Sequence, residues 1–261
     1  MKNSLKYIVS AAFGLSLVLF VAACGKEDTT VPTAGRVRFF NAISDAPAAG
    51  MDLIIDGAII NLRNWLTAGT PLPDSTFKYA AGFPISSDSS YFYLTEGTHN
   101  VKINSIGTAT TALSLDLPIA AGKSYTVFAT DTLSKASAVV ATDVVLPAVD
   151  RKSVFRFAHM VPDGPAFDIA RIKGTDTTVI FSNITYKTVT PFIQVDTSAS
   201  TVFPFKVDYA IRIAGTKTAP RSWTNAAFAN GRVYTLVARG LVGRPTTSAQ
   251  YINATMVTQA R

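Results

Sequence analysis

Arg38-Phe39-Phe40-Asn41-Ala42-Ile43-Ser44-Asp45-Ala46-Pro47-Ala48 returns, without a gap and 118 positions later, as Arg156-Phe157-Ala158-His159-Met160-Val161-Pro162-Asp163-Gly164-Pro165-Ala166. The Arg, the first Phe, the Asp, the Pro and the last Ala are identical. Past Ala48 the first copy gains Ala49 and Gly50, after which Asp52-Leu53 matches Asp168-Ile169. Val101-Lys102-Ile103 then aligns with Ile211-Arg212-Ile213. Near the end of each copy, Gly122-Lys123-Ser124-Tyr125-Thr126-Val127-Phe128-Ala129 aligns with Gly231-Arg232-Val233-Tyr234-Thr235-Leu236-Val237-Ala238. Matches that keep their order while the offset shrinks mean a duplicated unit with altered loops. The period is that of a whole small domain, too long for a solenoid repeat.

Each copy reads as β-structure. Leu53-Ile54-Ile55 and Ala58-Ile59-Ile60 flank Asp56-Gly57, a dipeptide that tolerates positive φ and predicts a tight hairpin. Tyr91-Phe92-Tyr93-Leu94, Glu96-Gly97-Thr98 and Val101-Lys102-Ile103 predict a second hairpin. Short β-rich runs with turn residues every eight to twelve positions favour sandwiches, and no long stretch after Cys24 has helical periodicity. The segment from Leu146 through Pro147 to Lys152, with a proline and three charges, ends the first copy and reads as the linker between the domains.

The shared pattern, Arg-Phe followed by Asp-x-Pro-Ala, then Asp and an apolar run, then Gly-Lys/Arg-x-Tyr-Thr, resembles the exported domains of the DUF4397 family (domain of unknown function). The resemblance spans residues 36–258 as two copies and implies tandem immunoglobulin-like β-sandwiches on cell-surface lipoproteins, with no activity attached. The first copy departs from the pattern in a Pro-rich insertion from Gly69 to Pro84.

Upstream, Val21-Ala22-Ala23-Cys24 closes an apolar run that follows Lys2 and Lys6 and holds the chain's single cysteine. The run from Tyr7 to Phe20 has the length of a signal-peptide core and is short for a membrane span. The pattern resembles the lipobox of bacterial lipoproteins, which implies cleavage before Cys24 and acylation of its thiol. Several acyl chains, at about 0.8 kcal/mol per buried CH₂, hold a terminus in its bilayer. With Cys24 so used, no disulfide forms. Lys26-Glu27-Asp28 resembles a lipoprotein export signal for the outer face of the outer membrane, although a solvated tether also favours such residues. The expected organisation is a signal peptide over 1–23, a lipidated tether over 24–35, a first β-sandwich over 36–146, a linker over 147–152 and a second β-sandwich over 153–261.

Loss of residues 1–23 leaves 22 basic residues against 17 acidic ones, a mild excess. The basic residues are scattered, with no run that would track a phosphate backbone, so nucleic acid is not an expected partner. Asp45 and Asp163, with Asp52 and Asp168, offer two carboxylates per copy. Calcium takes six to eight oxygens, so the aspartates read as caps of the turns set by the following prolines, and no metal or other cofactor is expected.

Ser75-Thr76-Phe77-Lys78 has the Ser-x-x-Lys spacing of penicillin-binding proteins, which would make Ser75 a hydrolase nucleophile acting on wall or surface polymer. That motif requires a helix start in a helical domain, and here it sits among prolines. His99 and His159 fall in or beside predicted strands, which favours turn or core roles over base catalysis. No catalytic residue is therefore expected. Thr29, Ser75, Thr132 and Thr177 each follow an Asp in a spacing that resembles a bacterial O-glycosylation sequon, and turn chemistry gives the same residues. Trp65, Tyr91, Tyr93 and Trp223 are the aromatic candidates for stacking on a sugar ring, a role that requires exposure. The expected function is a non-catalytic binding or adhesion module for a glycan or surface protein, lipid-anchored in the outer membrane and facing outward. A structural spacer or assembly subunit of the envelope is the alternative.

Overall fold

This computed structural model describes residues 33–60, 76–84, 91–143, 147, 149–173, 175–196 and 205–259. Residues from Thr33 onward form one compact unit. The described chain is all-β apart from a single turn of 3-10 helix at Leu133–Lys135. Its strands assemble into two β-sandwiches, one per repeat.

The first sandwich contains β1 (Ala34–Asn41), β2 (Met51–Ile55), β3 (Ala58–Ile59), β4 (Gly82–Phe83), β5 (Phe92–Thr95), β6 (Gly97–Ser105), β7 (Thr111–Ile119), β8 (Ser124–Thr130) and β9 (Ser137–Thr142). One sheet has the order β4-β1-β8-β9, with β5 also on the β1 edge, and the other runs β3-β2-β6-β7. The second sandwich contains β10 (Lys152–Met160), β11 (Phe167–Lys173), β12 (Asp176–Ile184), β13 (Ile193–Asp196), β14 (Phe205–Ile213), β15 (Arg221–Phe228), β16 (Val233–Arg239) and β17 (Asn253–Gln259). Its sheets are β13-β10-β16-β17 and β12-β11-β14-β15. In both copies the first strand runs parallel to the strand that carries the Tyr-Thr pair, β1 beside β8 and β10 beside β16.

Side-chain alternation on these strands explains a four-layer body. Val37 and Phe39 of β1 point into the first core with Leu53, Val101, Leu117 and Val127. Phe155 and Phe157 of β10 do the same in the second with Ile169, Ile211 and Leu236. Much of the opposite faces is covered as well. Phe40, Ala42 and Phe128 of the first copy pack against Ala158, Met160 and Val237 of the second in a third core. Parallel strands covered on both sides read as continuous apolar runs, which accounts for the unbroken apolar stretch at Phe39-Phe40 and for Ala158 and Met160 within β10. Each fully buried Phe contributes about 1.5–3 kcal/mol, so this middle layer joins the two sandwiches firmly.

The Asp56-Gly57 hairpin forms as the sequence predicts, with Ile55 opposite Ala58 and φ of 50° and 81° at the two turn residues. The second predicted hairpin does not. β5 pairs with β1 while β6 pairs with β2 and β7, so the chain crosses between sheets at Glu96-Gly97. A crossover has the same turn residues as a hairpin, and only the partner strands distinguish them.

The alignment of Val101-Lys102-Ile103 with Ile211-Arg212-Ile213 slips by two residues. Leu53 faces Ile103 and Ile169 faces Ile211, so Ile103 and Ile211 are the true equivalents. A slip of two preserves every inward and outward position, which is why alternation conceals it.

The Pro-rich stretch from Gly69 to Pro84 is not insertion throughout. Phe77 is buried in the first core, and Ala80 N donates to Asn41 O at 2.7 Å, as Lys187 N donates to His159 O at 2.9 Å. Tyr79 is thus the counterpart of Tyr186.

Candidate functional site

The polar residues shared by both copies are committed to holding the fold. Asp52 Oδ2 accepts from Gly107 N at 2.8 Å, and Asp168 Oδ2 accepts from Gly215 N at 2.9 Å, each fixing the hairpin turn of its own sandwich. Asp163 takes Val242 N and Gly243 N, both at 2.8 Å, and Asp45 takes Leu133 N at 2.5 Å. These carboxylates hold loops that lie far away in sequence. They do not cap the Asp-x-Pro turn itself, as its spacing suggests. Tyr125 and Tyr234 complete the set: each hydroxyl accepts a backbone N–H five residues upstream, from Ala120 at 3.2 Å and Ala229 at 2.9 Å. This tie resembles the tyrosine corner of other sandwiches. Among the described residues, no group of three or more His, Cys, Asp and Glu is placed to hold a metal ion.

Both histidines are likewise in structural positions. His159 is fully buried, with Nε2 donating to Pro165 O at 3.0 Å, Nδ1 accepting from Val161 N at 3.2 Å, and its ring stacked on Phe167. Burial pushes its pKa down, so the neutral ring makes these bonds. Its counterpart Asn41 plays the same part, accepting from Ile43 N and donating to Phe77 O. His99 Nδ1 lies 2.7 Å from Asp56 Oδ2, and that hydrogen bond raises the pKa of His99 and lowers that of Asp56.

Where the copies differ, a polar and aromatic cluster gathers on the first. Residues two apart on a strand share a face, so Arg36 and Arg38 on β1 sit beside Ser124 and Thr126 on β8. Arg36 Nε donates to Ser124 Oγ, and Arg38 Nε to Thr126 Oγ1, both at 3.0 Å. Both guanidinium groups lie over the Tyr91 ring, 5.5 and 5.2 Å from its centroid. The hydroxyls of Tyr91 and Thr126 each donate to Asp143 Oδ2 at 2.6 Å, and the other carboxylate oxygen of Asp143 takes Nη2 of Arg156 from the second copy. Burial, the largest influence on both, lowers the pKa of Arg38 and raises that of Tyr91; the Arg38 charge opposes the rise at Tyr91, and Asp143 adds to it. Tyr93 stands directly opposite Arg36 across the β1–β5 pair and is 69% exposed.

The candidate residues named from sequence are distributed unevenly. Tyr91 and Tyr93 come together beside Arg36, with Tyr91 half-buried. Trp223 stands on β15 opposite Tyr209, with its side chain outside the description. Thr177 is exposed on β12, whereas Thr132 is half-buried just before the 3-10 turn. Cys24, Thr29, Trp65 and Ser75 lie outside the described residues. Arg36, Ser124 and Asp143 were not candidates from sequence. The alternation Arg36-x-Arg38 facing Ser124-x-Thr126 was the signal available for the first two.

A model of the family described as Domain of unknown function (DUF4397) matches residues 35–170 and 153–258. The chain belongs to the DUF4397 family. The first match runs past β9 into β10 and β11, where the second copy of the motif begins. The tandem arrangement of DUF4397 domains read from the repeat therefore stands. No curated protein matches the chain. Among the described residues no helix is long and apolar enough to cross a membrane.

Proposed function

We propose that this DUF4397 protein is a lipoprotein, anchored through Cys24 in the outer membrane and facing outward, that acts as a non-catalytic binding or adhesion module for a glycan or surface protein. The observation that carries this reading is the division of labour between the copies. Polar residues common to both hold loops and layers together, while an exposed aromatic and a cation stand together at positions where the second copy has neither. Divergence after duplication, placed on a stiff scaffold, suits recognition. The lipobox-like Val21-Ala22-Ala23-Cys24 supplies the anchor, and Lys26-Glu27-Asp28 the address.

The spacer alternative draws on the middle core, which joins the two sandwiches through packed side chains. It requires no saturable ligand and expects co-purification with an envelope partner.

Protease treatment of intact cells, alongside a Cys24→Ala variant, tests the proposal. The wild-type protein is expected to be digested on intact cells and the variant to appear in the soluble fraction. Protection of the wild type until the outer membrane is breached would overturn outward display, and a membrane-bound variant would overturn the lipid anchor.

A further inference from the structure

We infer that Arg36 and Tyr93 form a binding site for a carboxylate-bearing sugar, such as a uronate unit of an acidic polysaccharide, an inference that rests on the binding-module reading above. The argument starts from the duplication. Arg36 pairs with Tyr93 across strands in the first copy, and the equivalent cross-strand pair in the second is Val154 with Gln194. Ser124, which holds Arg36 Nε, stands where the second copy has Val233. Tyr91, beneath the guanidinium, stands where the second copy has Phe192, itself under Arg156 at 4.3 Å. The buried member of each set is kept, since Arg38 bonds Thr126 as Arg156 bonds Thr235. Three positions around Arg36 have thus diverged together; the second copy folds with Val233 and Gln194 at the places of Ser124 and Tyr93, so the sandwich itself requires neither, whereas Tyr91 also serves the first copy through Asp143.

The geometry selects the ligand class. Arg36 is half-buried, and its Nε and ring contact are provided by Ser124 and Tyr91. Among the described residues no carboxylate pairs with it, although Asp143 lies close enough to take the Tyr91 hydroxyl. A guanidinium fixed at Nε and over a ring presents its remaining N–H groups in a planar fork that matches a carboxylate. Beside it, Tyr93 offers an exposed flat ring with a polar tip, suited to the C–H face of a pyranose. A cation and an adjacent aromatic face together fit a sugar acid better than either a neutral sugar or a bare anion. The mild positive charge of the chain favours approach of a polyanion.

The test uses the detergent-solubilised full chain against immobilised polygalacturonate, alginate and hyaluronan, with carboxyl-reduced forms of each and a neutral galactan as controls. Binding to at least one acidic polymer is expected, and it should fall about tenfold or more on carboxyl reduction, in Arg36→Met and in Tyr93→Ala. The second-copy variant Gln194→Ala should bind as the wild type does. Unchanged unfolding midpoints in Arg36→Met and Tyr93→Ala would separate lost binding from lost fold. Equal binding to reduced polymer, or binding indifferent to Tyr93→Ala and displaced equally by dextran sulfate, would overturn the site as a nonspecific polyanion effect. Binding to the galactan or to a surface protein that survives both substitutions would sink this site and leave the module reading standing. Binding to none of the acidic polymers would overturn the site, and failure with neutral glycans and surface proteins as well would overturn both.

Discussion

Arg38 donates from Nη1 to the carbonyl oxygen of Thr258, 2.9 Å away and 220 positions on in sequence. Arg156 makes the reciprocal bond, from the second copy to the carbonyl of Thr142 in the first. Thr142 faces Tyr125 and Thr258 faces Tyr234, so the duplication relates the two bonds. The same exchange recurs at the other end of the interface. Tyr186 reaches Thr130, while its counterpart Tyr79 lies under Arg239, the residue equivalent to Thr130. Contacts that swap between copies define an isologous interface, the geometry of a symmetric homodimer. Here one chain supplies both halves, and the symmetry is broken by Asp143, which follows Thr142 where Gln259 follows Thr258.

Asp143 accepts from Arg156, Thr126 and Tyr91 in a buried setting. Asp143→Ala should destabilise the protein by about 3–5 kcal/mol, since it removes a carboxylate from donors that remain buried. The double variant Asp143→Leu/Arg156→Met should recover much of that loss. Chemical denaturation of the three proteins checks this; a single variant as stable as the wild type would contradict it.

The His99–Asp56 pair predicts a defined pH dependence. His99 has a raised folded pKa, so its contribution is complete below the ordinary 6.5 and fades as pH climbs through the raised value. The lowered folded pKa of Asp56 makes its share complete above the ordinary 3.8 and lost as pH falls through the lowered value. The stability gap between wild type and His99→Gln should therefore be widest between these limits and narrow toward alkaline pH. Unfolding curves from pH 5 to pH 9 measure it, and a gap that does not change with pH would refute the coupling.

His159 and Asn41 solve one local problem with different side chains, each accepting the N–H two residues ahead. His159→Asn should consequently be milder than His159→Leu. The leucine leaves Val161 N–H buried without that acceptor, and should cost about 1–3 kcal/mol more. Thermal unfolding of the two variants gives the comparison.

Two glycines separate conformational strain from crowding. Gly57 and Gly240 both have positive φ, 81° and 95°, but a Cβ at Gly57 meets nothing within 4 Å, while at Gly240 it would lie 2.7 Å from the carbonyl oxygens of Gln250 and Tyr251. Gly57→Ala should cost about 1–2 kcal/mol from backbone conformation alone. Gly240→Ala should cost distinctly more, and comparable midpoints for the two would show that the loop after β16 yields freely.

Much of the scaffold was legible because it is written locally. The Asp56-Gly57 turn needs only its own dipeptide, and the copies announce themselves through Arg38, Asp45 and Tyr125. What stayed hidden depends on partners distant in the chain. Nothing near Glu96 tells a crossover from a hairpin, and the two-residue slip at Ile103 leaves the apolar pattern intact. The juxtaposition of Arg36 with Tyr93 joins strands more than fifty positions apart, so neither residue signals the other. The third core had a trace in the sequence, since the later parts of β1 and β10 are apolar on both faces, at Phe39-Phe40 and at Phe157-Ala158. That trace says a strand is covered without saying what covers it.

The parallel pairing of β1 with β8 places a constraint on the order of folding. Arg38 and its partner Thr126 are 88 positions apart, so the opening strand of each sandwich cannot settle until nearly the whole repeat is available. Loop closure over such distances must precede any gain from pairing, which places this chain among the slow, high-contact-order folders, with times of milliseconds to seconds. β4 and β5 can pair one edge of β1 earlier, but until β8 arrives the other edge, along Val37 to Asn41, stays open to wrong partners. A partly synthesised copy therefore carries an open strand edge at its leading end for as long as β8 is missing.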